Sequence, residues 1–97
     1  MIDNRLIAER LQNQARALAG QGDNLYRVRA YRRAAAVVSL CPRPVAELVE
    51  AGGRKRLERL PGIGRHLAEV IVHFLETGEW LTFEQIRPPR EQARVSR

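Results

Sequence analysis

A chain of 97 residues holds one domain and a single modest core, too little for a polymerase, nuclease or kinase with a catalytic domain of its own. At 44% hydrophobic and 29% charged residues it has the composition of a soluble globular protein, with no apolar run near the ~20 residues of a membrane span and no secretory signal. The net charge of +6 is local: Arg27 to Arg65 holds ten basic residues against three acids, and the rest of the chain seven against eight, so the excess is placed as a polyanion footprint would be.

Hydrophobic spacing predicts an all-α fold, a compact bundle of four to six short helices. Asp3 or Asn4 caps a first helix with Leu6, Ile7, Leu11, Ala15 and Leu18 on one side, ended by Gly20-Gln21-Gly22-Asp23. Asn24 caps a second helix from Leu25 to about Leu40, stopped by Cys41-Pro42. As the single cysteine, Cys41 excludes an internal disulfide and a multi-cysteine zinc site, in keeping with a cytoplasmic setting, nucleoid-associated if bacterial. Pro44 suits the first turn of a short third helix with Val45, Leu48 and Val49, and Ala51-Gly52-Gly53 breaks the chain before a short basic helix, Arg54 to Arg59.

Leu60-Pro61-Gly62-Ile63-Gly64 then turns the chain into the strongest helical pattern, with Leu67, Val70, Ile71, Phe74 and Leu75 in one stripe and Thr77-Gly78 as its stop. Two glycines around one apolar residue allow a tight turn and a close backbone approach. The N–H groups that follow open a helix, lack intrahelical partners and lie at the positive end of its dipole, which suits a phosphate. Trp80, Leu81, Phe83 and Ile86 are expected to fold back over the core. Residues 1–86 thus form the domain, and 87–97 a polar, disordered tail. Met1 and that tail lead us to expect a complete small protein.

A short helix, Leu60-Pro61-Gly62-Ile63-Gly64 and a second helix together match a helix-hairpin-helix motif, which binds the DNA backbone without reading sequence. Asn24-Leu25-Tyr26-Arg27-Val28-Arg29-Ala30-Tyr31-Arg32-Arg33-Ala34-Ala35, the segment near Glu47-Leu48, the hairpin and Phe74-Leu75-Glu76-Thr77-Gly78 follow in an order that resembles the N-terminal lyase domain of family X DNA polymerases, the polymerase beta type. The resemblance covers about Asn4 to Ile86, with no polymerase domain following.

It implies a 5′-phosphate-binding surface on Arg27, Tyr31 and Tyr26, together with Gly62, Ile63, Gly64, Arg65 and His66. Arg27 and Tyr31 are i, i+4 neighbours, and a guanidinium beside a phenol offers several donors to a phosphate. Tyr31 equally suits packing near Ala34 and Val38. Arg29 and Arg33 form a different stripe from Arg27. The resemblance also implies a monovalent cation, K+ or Na+, on the backbone carbonyls of Glu58, Leu60 and Ile63, and no other cofactor.

Catalysis is where the chain departs from the family. The lyase forms a Schiff base through a lysine amine, and that position is Val70; two further lysine positions are His66 and Thr82. Arginine cannot replace a lysine nucleophile because its guanidinium stays protonated. Sixteen of the 17 basic residues are arginine, so Lys55 and the terminal amine of Met1 are the amines left for an abasic-site lyase. His66, Glu69 and His73 share the polar side of the second hairpin helix. The histidines, about 10 Å apart at ~1.5 Å per residue, are too far apart to share one metal ion, and Glu69 with His73 reads as an i, i+4 pair on a solvated face.

The leading expectation is therefore a monomeric module that binds DNA, without a lyase nucleophile, preferring gapped or 5′-phosphorylated ends in repair. The rivals are the lyase on Lys55 or the terminal amine, and a scaffold that docks DNA-repair proteins, which exposure of Trp80 or Phe83 would favour.

Overall fold

Asp3 opens the first helix by accepting the Leu6 N–H at 2.9 Å, and Ile7, Leu11, Ala15 and Leu18 bury one stripe of α1 (Asn4–Gly20). A computed structural model describes residues 2–87 of the chain. The loop after α1 closes as the Asp23 N–H reaches back to the Leu18 carbonyl at 3.0 Å. Asn24 then starts α2 (Leu25–Leu40), its side chain accepting from the N–H groups of Tyr26 and Arg27. Val28, Tyr31, Ala34, Ala35 and Val38 are the buried residues of α2, which packs closely against α1 as the two form a helical hairpin.

The third helix, α3 (Val45–Leu57), begins differently from the sequence expectation. Pro44 is its N-cap rather than part of its first turn. The cap hydrogen bond comes from another element: Asn4 accepts the Val45 N–H at 2.7 Å and donates to the Arg43 carbonyl at 2.9 Å. Asp3 alone therefore caps α1, and Asn4 ties the start of α1 to the start of α3. The expected break narrows to one residue, Gly53, at φ 68° and ψ −160°, and the basic turn beyond it ends at Leu57, not Arg59.

Leu57 and Ile63 are buried on either side of the hairpin, and α4 (Arg65–Thr77) contributes Leu67, Ala68, Val70, Ile71 and Phe74 to the interior. Gly78 ends α4 in the left-handed conformation at φ 79°. Trp80 folds back as expected, edge-on to Phe74 at 5.3 Å between ring centroids, with its indole N–H donating to Gln14. With Trp80 half-buried, its burial and edge contact are worth about 1–3 kcal/mol together, holding the segment after α4 against Phe74 while the Gln14 bond ties it to α1.

The last element, α5 (Phe83–Ile86), is a single turn held by a capping box between Thr82 and Gln85. None of its residues is buried, so it lies on the core rather than within it. The five helices fulfil the expectation of a small all-helical bundle. Among the described residues no helix is long and apolar enough to cross a membrane. Arg87, assigned by sequence to the tail, donates to Glu69 at 2.9 Å, and residues 88–97 of the expected tail lie outside the described residues.

Candidate functional site

The hairpin is built by two short-range turns. The Leu60 N–H donates to the Leu57 carbonyl at 3.0 Å, and the Ile63 N–H donates to the Leu60 carbonyl at 3.1 Å. Between them Gly62 has φ 93°, a conformation that L side chains rarely adopt. Ile63 is buried and anchors the loop in the core, which leaves the glycines on either side at the surface layer.

Gly64 is the N-cap of α4. It is extended at φ −89° and ψ −174°, and it supplies no side-chain cap. Its carbonyl accepts the Ala68 N–H at 2.9 Å, while the first-turn N–H groups of Arg65, His66 and Leu67 have no side-chain acceptor. A Cβ added at Gly64 would meet nothing within 4 Å. Open space, uncapped donors and the positive end of a 13-residue helix coincide at this point.

Two concavities flank the hairpin. One is lined by Tyr26, Arg29, Arg33, Arg59 and the hairpin backbone from Glu58 to Gly64. The other is lined by Tyr26, Arg27, Tyr31, His66, Phe83 and Glu84, with Gly62, Gly64 and Arg65 at its edge. Tyr26, 79% exposed, stands in both. The structure thus brings together every residue expected of a phosphate surface, but not on equal terms.

Arg27 is not a free cation. Its two terminal nitrogens pair with Asp23 at 3.1 Å and with Glu84 at 3.3 Å. Tyr31 takes the packing role among its two expected ones: it is buried as part of the core cluster, and it also lines the second concavity. Burial pushes its phenol above the ordinary value, Arg27 opposes that and Glu84 adds to it. His66 is exposed, and its ring lies against Phe83 with centroids 3.8 Å apart and planes 11° from parallel. Phe83, expected to fold back over the core, is half-buried and covers His66.

Arg33 is a site residue that sequence reading places elsewhere. Its side chain crosses the hairpin so closely that a Cβ at Gly62 would sit 3.2 Å from Arg33 Cγ and Nε. Tyr26, Arg29 and Arg33 share one stripe at helical spacing, which is visible in sequence; that the hairpin packs beside this stripe is not. Arg59 joins the same wall, and Glu84 and Phe83 enter the other.

The expected Glu69 and His73 pair does not form. Glu69 accepts from Arg87, and this hydrogen bond holds its carboxyl below the ordinary value. His73 is half-buried, and its Nε2 is without a partner among the described residues. No group of three or more potential metal ligands converges among those residues. Val70 is fully buried, Thr82 is the cap of α5, and Lys55 is exposed on the basic turn before the hairpin.

The hairpin turn, the uncapped helix and the bordering arginines agree with the family comparison. A family model described as a helix-hairpin-helix domain matches residues 2–80, and domains of this kind generally bind nucleic acid. With more than three quarters of its length matched, the chain belongs to the helix-hairpin-helix domain family.

Proposed function

We propose that this protein is a DNA-binding module that grips the sugar-phosphate backbone and reads little or no base sequence. The observation that carries the reading is the uncapped start of α4 at Gly64, open to solvent and bordered by Arg65, with Arg33 and Arg59 along the adjoining wall. Backbone N–H groups and guanidinium groups recognise phosphate oxygens, which every sequence presents alike.

A preference for gapped or 5′-phosphorylated DNA, as in repair, follows from the resemblance to the lyase domain of family X polymerases. In this reading a terminal phosphate and the sugar next to it would enter the second concavity, which Tyr26 and His66 line. The same resemblance suggests a monovalent cation on the backbone carbonyls of Glu58, Leu60 and Ile63, three residues that line the first concavity. When bound, such an ion adds positive charge for a phosphate.

Binding without chemistry is the reading we favour. Val70 presents no amine and is sealed in the core, and Lys55 is an exposed residue of the last turn of α3 that lines neither concavity. Trp80 and Phe83 are each half-buried against this chain's own rings, which leaves the protein-docking rival without its expected signature.

A binding panel tests the proposal: single-stranded, duplex, nicked and one-nucleotide-gapped DNA, with and without a 5′-phosphate, across a salt series. Unrelated sequences are expected to bind alike, with log K falling against log salt by about 0.9 per phosphate contacted. Failure of all these DNAs to bind at low salt, or unchanged binding by the Gly62→Glu, Arg33→Ala double variant, refutes it.

A further inference from the structure

We infer that α5 is a strap that walls one side of the second concavity in the free protein and is displaced when DNA binds, so that Glu84 acts as an internal stand-in for phosphate. The inference rests on the DNA-binding reading of the hairpin and concerns how that site is regulated.

Three contacts fasten the strap, each to a different part of the site. Glu84 occupies one terminal nitrogen of Arg27, whose other terminal nitrogen is held by Asp23. The guanidinium charge is already matched by two carboxylates. An entering phosphate cannot pair with Arg27 by that edge unless Glu84 leaves, and a retained Glu84 would repel it. Phe83 lies flat on His66, the second residue of α4, and so covers one side of the approach to the uncapped N–H groups. Arg87 fastens the far end to Glu69.

The strap is built to leave. No α5 residue is buried, so releasing the turn opens no hole in the core. Its capping box links Thr82 to Gln85 within the strap itself, which lets the turn survive undocking. The two fastenings at the concavity are small: a partly exposed ion pair, Arg27 with Glu84, and one ring stack each shift an equilibrium only several-fold. Phosphate contacts, added over several nucleotides, outweigh that readily.

The test uses the full chain and a 5′-phosphorylated one-nucleotide-gapped duplex. Glu84→Gln is expected to tighten binding about two- to fivefold, the size of one exposed ion pair. Phe83→Ala, which changes no charge, is expected to tighten it by a similar factor. Glu79→Gln removes the same charge at an exposed position without an ion pair among the described residues, and should change binding less than Glu84→Gln. The His66 ring protons, shifted upfield by the Phe83 face in the free protein, should lose that shift in the saturated complex. Equal tightening by Glu79→Gln, weaker or unchanged binding by Glu84→Gln or Phe83→Ala, or a His66 shift retained in the complex overturns it while leaving the DNA reading standing. Absence of binding by every form removes the DNA reading and the strap with it.

Discussion

Arg33 lies across Gly62: the Cγ and Nε atoms of the arginine stand 3.2 Å from where a Cβ at the glycine would be, at a φ of 93°. One position thus combines a conformational demand with a steric one, and both link α2 to the hairpin. Gly62→Ala should destabilise the fold by about 1–3 kcal/mol, because a positive φ is strained for alanine and Arg33 must move. Urea unfolding measures the loss, and DNA affinity should fall as well because Arg33 is displaced from the wall of the first concavity.

Gly64→Ala should separate binding from stability. Its φ is ordinary and nothing stands within 4 Å of the added methyl, so the folding free energy should change by less than about 1 kcal/mol. The methyl nevertheless projects into the space through which a phosphate would reach the first turn of α4. Unfolding and binding measured on the same preparation are expected to show near wild-type stability with clearly weaker affinity.

Asn4 gives a prediction about the fold alone. Its side chain is the cap of α3 and also donates to Arg43, so Asn4→Ala leaves the Val45 N–H without its acceptor. The expected cost is about 1–2 kcal/mol in urea unfolding. DNA affinity per folded molecule should be unaffected, since neither partner borders the hairpin.

Val70→Lys is the obvious attempt to supply the missing amine. Position 70 is 0% exposed, so the ammonium must be desolvated or the neighbouring helices must part. The variant should lose more than about 2 kcal/mol of stability. Borohydride trapping on a 5′-deoxyribose phosphate substrate should give no more adduct than the wild type.

Glu69 provides a pH signature for the contact with Arg87. Its carboxyl is held below the ordinary 4.5 in the folded protein, chiefly by the Arg87 hydrogen bond. Stability from a depressed carboxyl is complete above the value of the unfolded chain and is lost as pH falls through the folded value. The Glu69–Arg87 contact should therefore persist at neutral pH and release only in acid. An NMR titration of the Glu69 carboxyl checks this, and Arg87→Gln should return it towards the ordinary value.

Much of this architecture is legible one helix at a time. Asn24, Gly78 and the stripe Leu67, Val70, Ile71, Phe74 carry local signals, because caps and 3.6-residue spacing act within a few residues of themselves. What escapes a linear reading depends on distant pairs. Asn4 can cap a helix that starts 41 residues later only once α1 and α3 meet. Glu69 has His73 at helical spacing, yet it takes Arg87, 18 residues on. Arg27 looks free until Glu84, 57 residues away, is folded against it. The α5 turn itself carried a readable sign, since Thr82 and Gln85 stand at capping-box spacing.

The uncapped first turn of α4 also determines how such a site can be lost. Its donors are main-chain groups, which ordinary substitutions leave in place, so no exchange of one side chain for another deletes them. Loss by point mutation has to come through obstruction, as with a side chain at Gly62 or Gly64, or through proline within that turn, which removes an N–H outright. Exchanges at Arg65 and His66 leave these main-chain donors in place, whereas bulk at either glycine stands in the way of them.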